Sequence, residues 1–166
     1  MIEIKEYEEK YAKEISDIIV QNLLEVNIKD YSMEYVKNTA EEFTEEEIKK
    51  AFPKRTKAFM AMDKGEVVGT ASYDKSWYND DGEYYILTVF IKPSHHKQGI
   101  GKILIQEIEK HAKQISAKKL VIMSSITGCE FYRKLGYEYK GGKKELNEKG
   151  MYTMVKNFIK EKEWER

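Results

Sequence analysis

Apolar positions recur along this chain with two periods, and the changes of period mark the elements. Residues 2–5, Ile2-Glu3-Ile4-Lys5, alternate apolar and charged as a short strand does. Tyr11, Ile15, Ile18, Ile19 and Leu23 fall three and four apart, so the spacing predicts a helix over 9–24. A second helical region is expected after Tyr31, with Ser32 placed to cap it. Thr44-Glu45-Glu46-Glu47 has capping-box spacing for a third helix that ends before Pro53, and its acidic face reads as solvated surface. Residues 57–62 read as a strand, Asp63-Lys64-Gly65 as a turn and 66–77 as the returning strand. Asn79-Asp80-Asp81-Gly82 is the next turn. The nearly continuous apolar run 83–91 then completes an antiparallel meander and stops at Lys92-Pro93.

Beyond that proline the helical period returns. Ile100, Ile103, Leu104, Ile108, Ala112 and Ile115 predict one apolar face of a long helix. Residues 119–123 form a buried strand, and the intervening helix implies that it lies parallel to 83–91. A loop over 124–128 leads to a short helix over 129–135, closed by Gly136. Two last strands, 137–140 and 151–159, are joined through Gly141-Gly142 and a Lys/Glu-rich turn, and 160–166 is a charged tail. This order predicts an α+β fold over a single domain, residues 1–166: a mixed, mostly antiparallel central sheet flanked by helices, with one parallel pair.

Composition narrows the partners. Hydrophobic residues make up 41% of the chain, enough for a core, and 29 basic residues balance 29 acidic ones. That balance gives no ground for expecting nucleic acid or an anionic membrane. One cysteine, Cys129, excludes an intrachain disulfide, and its place at a short helix reads as structural. The start is acidic without an apolar signal core, and no run approaches the roughly 18 apolar residues of a membrane span, so a cytoplasmic location is expected. His, Cys and Asp show no metal-ligand spacing. Oligomeric state stays open, a homodimer included.

Local chemistry concentrates after the run 83–91, where His95-His96-Lys97-Gln98-Gly99-Ile100-Gly101-Lys102 opens the long helix. A helix's first N–H groups have no partner within it, and its dipole places partial positive charge there. Strand, glycine-bearing basic loop and helix is therefore an anion site, and glycines without Cβ let a diphosphate approach the main chain. The loop is not a P-loop, because Lys102 is followed by Ile103. It is not a dinucleotide fingerprint either, since the third glycine position holds Leu104.

The run His96-Lys97-Gln98-Gly99-Ile100-Gly101 resembles the acyl-CoA loop of the GNAT N-acetyltransferase superfamily, with His96 where Gln or Arg is usual. A second piece, Phe131-Tyr132-Arg133-Lys134-Leu135-Gly136-Tyr137, is similar to that family's Phe-Tyr-x-x-x-Gly-Phe signature. The resemblance implies a fold whose parallel strand pair splays apart to admit acetyl-CoA. It implies pantetheine on the backbone of Val89, Phe90 and Ile91 and diphosphate on the amides of Lys97, Gln98, Gly99, Ile100, Gly101 and Lys102, with His96 adding a donor. Ser125 stands where relatives often place a cofactor-contacting Asn.

The implied activity is transfer of an acetyl group from acetyl-CoA to a primary amine, on a small molecule or a protein, by direct attack in a ternary complex. Tyr132 matches the family's general acid, although it could equally pack as an aromatic. Glu83 is the nearest carboxylate to the family's base position, which falls at Tyr85. It could act through water, Tyr85 could orient that water, or the amine could arrive deprotonated. Tyr31, Tyr35, Trp77, Tyr78, Tyr84 and Tyr139 are candidate walls of an acceptor pocket. Two further readings remain: a non-catalytic acyl-CoA-sensing module, and a nucleotide-phosphate binder of another kind.

Overall fold

A computed structural model describes residues 1–78 and 81–158. The turn positions Asn79 and Asp80, Ile159 and the tail 160–166 lie outside the described residues. Strand β1 (Ile2–Glu6) leads through a 3-10 turn (Glu9–Tyr11) into α1 (Ala12–Glu25). Helix α2 (Met33–Glu41) begins at Ser32, whose hydroxyl accepts from Tyr35 N–H at 3.1 Å. Helix α3 (Glu45–Ala51) begins at Thr44, which accepts from Glu47 N–H at 3.3 Å. Both caps satisfy a donor that the first helical turn leaves open.

Strands β2 (Lys57–Asp63), β3 (Glu66–Lys75) and β4 (Glu83–Ile91) form the antiparallel meander. Helix α4 (Ile100–Gln114), strand β5 (Lys119–Ser124) and helix α5 (Cys129–Lys134) follow. Strands β6 (Glu138–Tyr139) and β7 (Tyr152–Asn157) end the described chain. The sheet order among the described residues is β1-β2-β3-β4-β5-β7-β6, and β4–β5 is its parallel pair. The last hairpin therefore inserts β7 beside β5 and leaves β6 at the edge. No helix among the described residues is long and apolar enough to cross a membrane.

Helices α4 and α5 pack one face of the sheet, around Leu104, Ile108, Ile86, Leu120 and Met154. Helices α1 to α3 pack the other, around Ile15, Ile19, Val36, Met60 and Val67. Two positions of the expected α4 face are overturned: Ile103 and Ile115 are 38% and 40% exposed. Ile105, fully buried, takes their place, because the stripe turned to the sheet is centred on Leu104, Ile105, Ile108 and Ala112. Strand β3 stops at Lys75 rather than 77, and β6 is two residues rather than four.

One irregularity decides which way β4 faces. Thr70 and Ser72 of β3 are two apart, but their partners Phe90 and Leu87 are three apart. Strand β4 thus carries an extra residue, absorbed where Thr88 takes a φ of 56°. Before this bulge Tyr84 and Ile86 point to the α4 side; after it Val89 and Ile91 do, while Phe90 points to α1.

Candidate active site

The parallel seam is short. Strand β4 meets β5 in four register pairs, from Glu83↔Lys119 to Ile86↔Ile122, and the pairing then ends. Residues 87–91 continue with β3 on one side only. The expected splay is therefore present, and one edge of β4 is left without a strand from the bulge onward. Lys92 N–H donates to Val68 O at 2.8 Å, so the groups of Ile91 point the opposite way, into the opening. The Ile91 carbonyl is already engaged there, accepting from Asn22 Nδ2 and His96 Nε2, each at 2.8 Å.

The chain next makes a 3-10 turn (Pro93–His95) and two left-handed steps, Lys97 at φ 62° and Gly99 at φ 79°. The first bond of α4 runs from Ile103 N–H to Gly99 O at 3.2 Å, so the N–H groups of Ile100, Gly101 and Lys102 lie ahead of it. The two glycines do different work. A Cβ on Gly99 would meet nothing within 4 Å, whereas one on Gly101 would stand 3.0 Å from Phe131 Cζ. Gly99 leaves the mouth of α4 open; Gly101 lets α5 seat against α4. His95 bonds Ser94 Oγ at 2.8 Å and Asp63 at 3.1 Å, which ties the loop to the β2–β3 turn.

Tyr132, on α5, is 7% exposed and stacks edge-on with Phe131 and Tyr137. Its hydroxyl makes no hydrogen bond among the described residues, and burial pushes the phenol well above the ordinary tyrosine range. It remains a proton donor across the neutral range. Ser125 accepts from Gly128 N–H at 3.0 Å, capping the turn into α5. Cys129 is buried and donates to Ile126 O at 3.3 Å. His111 is half-buried and bonds the Tyr73 hydroxyl.

Glu83 lies at the other end of β4. It is 8% exposed and pairs with Lys119 Nζ at 3.0 Å. By alternation Glu83 and Tyr85 face away from α4, and with Tyr78, Lys119, Val121 and Lys140 they line a cleft of about 400 Å³. The six aromatics expected to line one wall are dispersed. Tyr78 is on the cleft, and exposed Trp77 packs on Tyr85 at 5.2 Å. Tyr31 and Tyr35 stack on each other at 4.7 Å. Tyr84 packs instead on Tyr73, and Tyr139 on Tyr152, both in the α4-side cluster.

Elsewhere, loops distant in sequence are tied together. Asp30 accepts from Thr127 N–H at 3.0 Å and from the Thr127 hydroxyl, and Tyr31 Oη donates to Gly150 O at 3.1 Å. Four residues escaped sequence reasoning. Asn22 was detectable as a polar residue inside the apolar stripe of α1, where it now buttresses Ile91. Arg55 binds Ser72 Oγ and Thr88 Oγ1 through one nitrogen, at 2.6 and 2.7 Å, and Ser72 Oγ donates to Leu87 O. The bulge is thus held by a guanidinium that reaches it from the segment before β2.

A mixed sheet parted beside an amide-bearing helix mouth is the architecture that the resemblance to the GNAT superfamily implies. Residues 20–137 match the profile of the Acetyltransferase (GNAT) family, and the chain belongs to that family. Among solved structures, the PaiA N-acetyltransferase from Thermoplasma acidophilum, in complex with coenzyme A, is similar with a TM-score of 0.82 and 18% identity, over 95% of this chain and 99% of that one. An aminoglycoside 6'-acetyltransferase type Ii is similar with a TM-score of 0.69 and 22% identity, over 95% and 98% of the two chains. The "Probable N-acetyltransferase 14" of Danio rerio is 27% identical over 99 residues, which cover 58% of this chain and 35% of that protein.

Proposed function

We propose that the protein transfers the acetyl group of acetyl-CoA to a primary amine by direct attack in a ternary complex. The observation that carries this reading is the end of β4: its unpaired edge opens beside the free amides of α4. A peptide-like pantetheine pairs with such an edge, and a diphosphate fits a helix mouth where even an added Cβ would meet nothing. In this reading Val89, Phe90 and Ile91 hold the pantetheine. The amides of Lys97, Gln98, Gly99, Ile100, Gly101 and Lys102 hold the diphosphate. His96 braces the strand end, and Ser125 shapes the loop facing the cofactor. Acetyl-CoA supplies an activated acyl carbon, and relatives crystallised with coenzyme A or acetyl-CoA support that choice.

Tyr132 donates the proton that the departing thiolate needs, and its burial keeps that proton in place. The amine's proton leaves by the cleft on the opposite face. Thr88 lies five residues beyond Glu83, about 16 Å along an extended strand, so Glu83 receives the proton through water rather than by contact. Incubation with acetyl-CoA and a panel of amines, read as free thiol, tests the reading. Thiol release that depends on the amine and falls in Tyr132→Phe supports it; coenzyme A binding with no release from any amine overturns it. The Glu83–Lys119 pair favours a second reading, an acyl-CoA-sensing module, because it ties down the nearest candidate base.

A further inference from the structure

Arg55 is an uncommon choice for this chain, which has three arginines (Arg55, Arg133 and Arg166) among its 29 basic residues. Its guanidinium lies over the β3–β4 face turned away from α4, stacked on Phe52 at 4.5 Å. Burial is the larger influence on it and pushes it down to about 10, while Asp74 acts the other way. No carboxylate among the described residues lies within ion-pair distance of it. Asp74 is occupied by Thr56 Oγ1 at 3.0 Å and Lys75 N–H at 2.9 Å. Nη1 serves two neutral hydroxyls, which leaves Nε and Nη2 without a partner among the described residues. A half-buried guanidinium whose free edge reaches solvent, with no carboxylate at ion-pair distance among the described residues, is open to an arriving anion.

Its position says which anion. Nη1 is 2.7 Å from the hydroxyl of Thr88, the residue before the segment that faces the opening. On the acetyl-transfer reading, the reacting amine approaches that segment from the same face. An anion able to reach both Arg55 and the reaction centre must be bonded close to the amine. A carboxylate one carbon away satisfies this. A peptide N-terminus has no such carboxylate, and a polyamine would bring further positive charge towards a cation that has no ion-pair partner among the described residues. We propose that Arg55 receives the α-carboxylate of a free α-amino-acid acceptor, through Nε and Nη2, while Nη1 keeps the bulge in place. This rests on the acetyl-transfer reading and adds the substrate class to it.

The test compares amino acids with their decarboxylated counterparts: phenylalanine with phenethylamine, leucine with isoamylamine, lysine with cadaverine. At saturating acetyl-CoA, at least one amino acid is expected to exceed its amine by about 10–100-fold in kcat/KM, the range of a charge-assisted hydrogen bond. In Arg55→Met that ratio falls towards one; in Arg55→Lys, which keeps charge without the fork, it is intermediate. A wild-type ratio of one or less in every pair, or an undiminished ratio in Arg55→Met, overturns the proposal. The wild-type comparison stands even if the variant does not fold. If no acceptor releases thiol, the acetyl-transfer reading fails separately. Calorimetry of the same pairs on the coenzyme A-loaded protein then decides: binding of an amino acid but not its amine supports the anion site, and equal or absent binding overturns it.

Discussion

The two ends of β4 have opposite structural fates. At its start, Tyr84, Tyr85 and Ile86 are paired on both sides, with β3 and with β5, while Glu83 pairs with β5, accepts from Ser76 N–H and is ion-paired with Lys119. At its finish, residues 87–91 keep only β3, and their exposed edge is braced by side chains from elsewhere, Asn22 and His96 on Ile91 and Arg55 on Thr88. A closed end can be held by backbone bonds alone. An open end, lacking a strand on one side, is held by side chains instead. The difference shows that the opening is made by withholding a strand partner and that its rigidity is supplied by residues outside the motif.

The largest test falls at the open end. Tyr132→Phe keeps the ring packing and removes the proton donor, so kcat is expected to fall by about 10²–10⁴ with coenzyme A affinity unchanged. Steady-state kinetics and calorimetry check this, and an undiminished kcat would make Tyr132 a packing residue. Gly99→Glu places a carboxylate where a diphosphate would sit; two like charges about 5 Å apart repel by about 3 kcal/mol at an effective dielectric of 20, or roughly 100-fold in Kd. Gly99→Asn tolerates the left-handed backbone and is expected to bind near the parent level. Equal binding by Gly99→Glu would remove the helix mouth from the site.

The closed end should respond less. Glu83→Gln is expected to lower kcat by about tenfold, since a water-relayed base contributes less than one in contact. A kcat within about twofold of the parent would leave that end structural. Stability tests the packed face between them. Burial raises the phenols of Tyr73, Tyr132 and Tyr137 above the ordinary range. Unfolded tyrosines titrate near ~10. Below that pH both states are protonated and this contribution is fully present. Above it the folded state binds more protons, so stability falls as pH rises, which thermal melts from about pH 8 to 11 would show. The smallest effect is expected from Ser125→Ala: about 1 kcal/mol from the lost hydrogen bond to Gly128 N–H, and under about threefold in the KM for acetyl-CoA.

Much of this was legible in residue order. Alternation and helical spacing located the strands of the meander, the N-caps Ser32 and Thr44, and the parallel relation of β5 to β4, since each depends on neighbours a few residues away. The candidate site was half legible. Gly99 and Tyr132 sit in local patterns, whereas the division of labour between Gly99 and Gly101 depends on Phe131, thirty residues further on.

The sequence by itself determined the elements, the glycine-bearing loop at the head of α4 and the placement of a buried tyrosine after β5, because periodicity, capping and turn chemistry are short-range. Only the tertiary structure decided that β4 bulges at Thr88, that β7 slips in beside β5, and that Arg55 comes to rest with part of its fork unpaired. In a run as uniformly apolar as Tyr84-Tyr85-Ile86-Leu87-Thr88-Val89-Phe90-Ile91 no alternation marks where the faces exchange. That exchange is set by packing against α1 and α4 and by a guanidinium whose binding partners are 17 and 33 residues away.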